Sequence, residues 1–226
     1  MRVLAIDTAL AACSVALLDT DHGIVASTSE PMIRGHAEAL MPLLQQVMNQ
    51  AATGFAAVDR VAVTTGPGSF TGLRVGIAAA RGIGLAAGRP VVGLSTLSVF
   101  AAPAMAADRS HPVVAAIDAR HGYVYLQVFA AGGRVVVAPR FASMGEAVQA
   151  AAAAPAHIVG SAAQAVAAGL SAADAKPVTV DARAAPDIAW VARMGAVVPE
   201  GQAPPTPQYL RAADAQPQYA AQLPRR

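Results

Sequence analysis

Three kinds of residue in this sequence could do chemistry. They are glycines grouped in one short loop, aspartates that close apolar runs, and five scattered histidines. The loop reads Gly66-Pro67-Gly68-Ser69-Phe70-Thr71-Gly72 and stands between an expected strand and an expected helix. In that setting the N–H groups at a helix N-terminus can hold an anion. The details depart from known phosphate loops. No Lys follows the glycines where a P-loop requires one. As a dinucleotide loop the spacing carries an extra residue, Pro67 lacks an N–H, and no acidic residue ends the next strand at Leu94. Locally, a tight turn whose glycines permit close packing explains the loop better than phosphate binding does.

Asp7 closes the apolar run Val3–Ile6, and Asp118 closes Val114–Ile117. Either carboxylate could place a metal or a water beside a nucleotide phosphate. A working phosphate hairpin favours glycine in its turn, because backbone N–H groups must come close to the anion. Thr8, Ala9, Leu10, Ala11 and Ala12 follow Asp7, so an aspartate capping a turn is expected there. Asp118-Ala119-Arg120-His121-Gly122 has a glycine and two basic residues, which leaves room for some anion affinity. Any vestigial nucleotide or anion site is therefore expected at Asp7, Gly68, Ser69, Asp118 and Arg120.

His22, His36, His111, His121 and His157 include no pair at i, i+4, and no cysteine or acidic cluster stands beside them at ligand spacing. Neither a metal site nor a cofactor is expected. Cys13 is expected to be buried, and Ser69 has no base nearby in sequence, so no nucleophilic triad can be assembled. The chain by itself is expected to be non-catalytic.

Composition narrows the classes further. With 55% hydrophobic and 13% charged residues, the 226-residue chain is too apolar to be disordered and can fill a large core. Its net charge is +2 and its arginines are scattered, so it shows no basic footprint for direct RNA binding. A single cysteine allows no internal disulfide and fits a reducing, cytoplasmic setting. Leu10–Cys13 imitates a lipidation signal, but Asp7 interrupts the apolar stretch of roughly 7–15 residues that export needs. Residues 147–173 are mostly Ala and are broken by Pro155, His157 and Gly160, well short of the ~20 strongly apolar residues of a membrane span.

The elements that must position these residues follow from periodicity. Strands are expected at Val3–Ile6, Ser14–Leu18 and Ile24–Thr28 as an antiparallel meander, and at Arg60–Thr64, Pro90–Leu94, Val114–Ala119 and Tyr123–Phe129. Helices are expected at His36–Ala52, with Pro42 kinking it or delaying its start, and at about Thr71–Ala87, capped by Ser69 or Thr71 and ended by Gly88. Others are expected at Ser95–Ala107, Ser143–Ala153, Ala162–Leu170 and Pro186–Val197. Each half opens with strand, Asp, turn and strand, which points to an internal duplication and two α/β lobes. The expected division is 1–107, 108–204, and a C-terminal segment with a flexible tail over 205–226.

The first two helices carry apolar faces: Leu40, Leu44, Val47 and Met48 on one, Leu73, Gly76, Ile77 and Ala80 on the other. Gly76, Ala80 and Gly84 form a row of small residues that lets another helix approach. Spacing alone fits two uses equally, an intramolecular core or a bundle formed with a partner.

Several strings, in order along the chain, resemble the TsaB family. They are Met1–Ala9 with Ala12–Leu17, Gly66–Gly76, Gly93–Leu97, Ala116–Arg120 with Gly122, and Tyr209–Arg211; the glycine-loop string is the most specific. Residues 142–204 match only in kind. The resemblance implies an actin-like, ribonuclease-H-like (ASKHA) fold in two similar lobes. It further implies a non-catalytic paralogue of TsaD, which transfers a threonylcarbamoyl group to the adenosine 3′ of the anticodon in tRNA. TsaD-type proteins carry two metal-binding histidines after the strand equivalent to Pro90–Leu94, and Thr96 and Phe100 stand at those positions here. A heterodimer with TsaD through the two N-lobe helices is implied, with the ATPase TsaE joining and a homodimer forming through the same patch when TsaD is absent. Direct contact with tRNA stays open. The rivals are an actin-like small-molecule kinase or ATPase, and a peptidase, for which neither a metal pair nor a triad is found.

Overall fold

The computed structural model describes residues 1–171, 176–201 and 205–211. Strands β1 (Arg2–Asp7), β2 (Ala12–Asp19) and β3 (Gly23–Pro31) form the expected meander, followed by helix α1 (His36–Gln50). Strand β4 (Arg60–Gly66), helix α2 (Phe70–Ala87), strand β5 (Val91–Ser95) and helix α3 (Thr96–Ala107) complete the first half. β4 pairs in parallel with β1, and β5 in parallel with β4, giving the sheet order β3-β2-β1-β4-β5.

The second half repeats this order element by element. Strands β6 (Val113–Asp118), β7 (Tyr123–Phe129) and β8 (Val135–Ser143) are followed by helix α4 (Met144–Ala152) and strand β9 (His157–Val159). Helix α5 (Ala163–Ser171), strand β10 (Thr179–Asp181) and helix α6 (Ile188–Val197) close it. The second sheet has the order β8-β7-β6-β9-β10, which is the first sheet's order repeated. The duplication expected from two strand-end aspartates therefore extends to the full ββαβαβα pattern with its leading strand.

Alternation along the strands explains the layers. On β1, Leu4 and Ile6 face a core shared with α1 and α2, while Val3 and Ala5 face a core shared with α6. On β6, Val114 and Ala116 face α4 and α5, while Val113, Ala115 and Ile117 face α3. Each half thus ends in a helix that packs on the other half's sheet: α3 lies on β6, and α6 lies on β1 and β4. This packing crosses the expected division at 107 and 204. Residues 188–197 belong by packing to the first lobe, because Ile188, Val191 and Ala192 fill the apolar face that β1 and β4 leave open.

α1 starts at His36 and runs through Pro42, which does not delay it. Pro42 and Glu38 are both exposed, so the carbonyl that loses its bond can turn to water. The C-terminal segment 205–211 lies against the first lobe and α3: the Gln208 N–H donates to the Thr65 carbonyl (2.7 Å), and Leu210 packs near Leu97 and Phe100. The expected tail over 212–226 lies outside the described residues.

Candidate functional site

The glycine loop folds onto the turn between β1 and β2. α2 begins where expected, with Ser69 as its cap: the Ser69 hydroxyl accepts from the Gly72 N–H at 3.3 Å, and Gly88 (φ 63°) ends the helix. The parallel register of β1 and β4 brings Thr64 beside Asp7. The loop is tied to the turn by the Ser69 N–H donating to the Ala9 carbonyl (2.7 Å) and the Thr8 hydroxyl donating to the Gly72 carbonyl (2.7 Å).

The glycines are there for closeness. A Cβ at Gly68 would lie 2.3 Å from the Ala9 carbonyl oxygen, and one at Gly72 would lie 2.1 Å from that of Thr8. One at Gly76 would lie 2.4 Å from the Thr8 hydroxyl. The glycine loop's backbone packs directly on the turn that follows the strand-end aspartate. The N–H groups of Ser69 and Gly72 are already engaged within the chain.

Asp7 is fully buried. One carboxylate oxygen accepts from the Thr64 hydroxyl and from the Ala9 N–H (3.2 Å), while the other has no partner among the described residues. Burial pushes its pKa up to about 6, against the opposing effects of Thr64, the Ala9 N–H and His36. Cys13 is also buried, and its thiol is pushed up to about 11 by burial and by the charges of Asp7 and Glu30. A buried thiol held protonated in this way is a poor nucleophile.

Asp118 and Arg120 stand at the equivalent end of the second sheet, in the turn between β6 and β7. Asp118 is exposed and accepts from the Arg120 N–H at 2.9 Å, which caps the turn. Arg120 and His121 have φ of 66° and 54°, and Gly122 follows at 78°. The structure joins Asp7, Gly68 and Ser69 in one packed group and sets Asp118 and Arg120 in a separate, exposed turn.

The eight helix residues expected at a partner interface lie inside the lobe. Leu40, Leu44, Val47, Met48, Leu73, Ile77 and Ala80 are each at most 3% exposed and share one core with β1, β2 and β4. Gly76 is held against Thr8. In the chain alone these side chains cover their own sheet. The outward faces belong instead to Met41 and Gln45 on α1, and to Arg74, Ala78, Gly82 and Leu85 on α2. Leu85 is 86% exposed. It borders a groove of about 690 Å³ that Arg81, Arg89, Val91 and Glu200 also line. Thr96 and Phe100, at the start of α3, are buried.

The histidine expectation is corrected. Asp108, His111 and His157 come together with their ligand atoms within 4.8 Å of one another. His111 and His157 are far apart in sequence, and it is the parallel pairing of β6 with β9, Val113 against His157, that joins them. A search by spacing along one helix could not find such a group. The Ser110 hydroxyl and N–H, then His111 and His157, hold the Asp108 carboxyl well below the usual carboxylate range.

The model of the family TsaD, tRNA N6-adenosine threonylcarbamoyltransferase, matches residues 22–183. The tRNA threonylcarbamoyladenosine biosynthesis protein TsaB of Escherichia coli K12 is 43% identical over 125 residues, 55% of this chain and 53% of that protein. The chain thus spans about half the length of the curated relatives it matches. A Pseudomonas aeruginosa crystal structure, described as an uncharacterized protein with similarity to peptidase YeaZ, superposes with a TM-score of 0.74 at 30% identity. That superposition covers 93% of this chain and 99% of the other. The ethanolamine utilization protein EutJ of Carboxydothermus hydrogenoformans, at 14% identity and a TM-score of 0.53 over 86% of this chain and 88% of its own, shares the fold alone. The two-lobed α/β architecture is the actin-like one, and the chain belongs to the TsaD family, standing within it among the TsaB (YeaZ) proteins.

Proposed function

We propose that this chain serves the threonylcarbamoyladenosine modification of tRNA as a non-catalytic subunit that binds and activates a TsaD-type transferase. A TsaE-type ATPase would join the pair. The observation that carries this reading is the closed turn at Asp7, where Gly68 and Gly72 pack against the Ala9 and Thr8 carbonyls and the Ser69 and Gly72 N–H groups are engaged within the chain. The buried Thr96 and Phe100 support it from the other side, since neither can replace a pair of metal-binding histidines. A small-molecule kinase would need that turn open.

The partner surface proposed is the outer face of α1 and α2, with Met41, Ala78 and Gly82 near its centre. Ala78 and Gly82 are exposed, one helical turn apart, and nothing lies within 4 Å of a Cβ placed at Gly82. That leaves a shallow helical surface onto which another helix can pack closely.

The test is light scattering after gel filtration of the full chain mixed with the TsaD-type protein of the same organism. A 1:1 complex is expected, weakened at least about tenfold by Gly82→Trp, which is exposed and leaves the fold intact. Tight ATP binding or hydrolysis by this chain alone, with no complex formed, would overturn the reading in favour of a kinase.

A further inference from the structure

We propose that Asp108, His111 and His157 form a binding site for one divalent transition-metal cation, with Zn2+ the closest chemical match. Three donors converge from three places: the end of α3, the approach to β6, and the first residue of β9. His157 Nε2 lies 3.0 Å and His111 Nδ1 2.7 Å from the same Asp108 oxygen, Oδ2. Tetrahedral ligands at the usual zinc bond lengths stand about 3.3 Å apart, so the two carboxylate–imidazole distances need open by about 0.3 and 0.6 Å, while the two ring nitrogens already lie within 4.8 Å of each other. Two imidazoles and one carboxylate are a donor set that suits Zn2+ and is poor for Mg2+ or Ca2+.

The surroundings hold these donors in place. His157 is buried, and its other ring nitrogen, Nδ1, lies 2.8 Å from the Thr179 hydroxyl on β10. In the metal-free protein Nε2–H donates to the Asp108 carboxylate, and when Nε2 gives up that proton to a metal the Nδ1–H can donate to the Thr179 hydroxyl instead. The second Asp108 oxygen is engaged by the Ser110 N–H (2.7 Å) and hydroxyl (2.5 Å), which orients Oδ2 toward the histidines. The His111 side chain is 40% exposed and can swing to admit the ion, leaving the fourth position to water.

The site lies where β6 and β9 begin, the opposite sheet end from Asp118 and its turn. β9 and β10 are three residues each and share few ladder bonds. A bound cation would clamp this short-stranded edge of the second lobe to the end of α3, so its role is structural.

The test uses the tag-free full chain, stripped with a chelator and titrated with Zn2+ by calorimetry and with Co2+ by visible absorption. One equivalent is expected to bind, with the absorption of a four-coordinate Co2+ site, and Zn2+ is expected to raise the unfolding temperature. Asp108→Asn and His111→Ala, both partly exposed, should weaken binding at least tenfold while the stripped proteins keep their circular dichroism. Thr179→Val, which touches no metal, should weaken it by about 10–100-fold. Absence of one-equivalent binding would overturn the proposal. So would binding unchanged by Asp108→Asn or His111→Ala, which would place the metal on Cys13 or on other histidines.

Discussion

At the scale of single residues, Asp7 offers the sharpest test. Its pKa lies above that of a free aspartate, so between about pH 4 and 6 the folded chain holds a proton that the unfolded chain has lost. Asp7 therefore favours the fold most below that window, and the advantage is lost as pH rises through it. Asp7→Asn does not titrate. Its stability relative to the native chain should improve by roughly 3 kcal/mol between pH 4 and 7, following 1.36 kcal/mol per pKa unit. Urea unfolding of both proteins at several pH values measures this, and a difference that does not change with pH would rule out the buried charge. The sequence already marked Asp7 as the residue closing its strand and capping the turn. It could not mark the residue as buried, because burial comes from α2 and the glycine loop folding over it.

At the scale of elements, the glycines of α2 divide into two kinds that look alike in sequence. Gly72→Ala drives a methyl group into the Thr8 carbonyl, and we expect a loss of at least about 2 kcal/mol. Gly82→Ala meets nothing and should gain up to about 1 kcal/mol from helix propensity. Denaturant unfolding of the two variants should thus give shifts of opposite sign. Most elements were legible where they were long: α1, α2 and the first meander follow their apolar periods closely. β9 and β10 were not, since three residues carry no period, and β8 was hidden by Pro139, which only an edge strand tolerates. The apolar faces of α1 and α2 were read correctly as faces. Sequence could not say whether a sheet or a partner covered them, and the sheet does.

At the scale of the molecule, Arg60 shows how the last helix is tied to the first lobe. Its guanidinium donates to the carbonyls of Gly195 and Val198, both at 2.9 Å, and pairs with Glu200 at 3.0 Å. It thereby caps the C-terminus of α6, where a cation is favoured. Arg60→Ala leaves those carbonyls without their partner and should cost about 1–3 kcal/mol. Hydrogen exchange should show α6 opening first in that variant, and uniform destabilisation would contradict this assignment. The duplication was legible from Ile6-Asp7 and Ile117-Asp118. The reciprocal exchange of α3 and α6 was not, because nothing in a helix's own residues says which of two similar sheets it will cover.

That exchange bears on the order in which the protein can be made. When Ala107 leaves the ribosome, the first sheet has every strand but lacks α6 on one face, so Val3, Ala5 and Ala62 stay uncovered until the second lobe has followed. α3, meanwhile, waits for a sheet that has not yet been synthesised. The two lobes must therefore mature together, each serving as the other's last folding step. Neither half, cut out and expressed alone, would have the surface it needs to stay in solution.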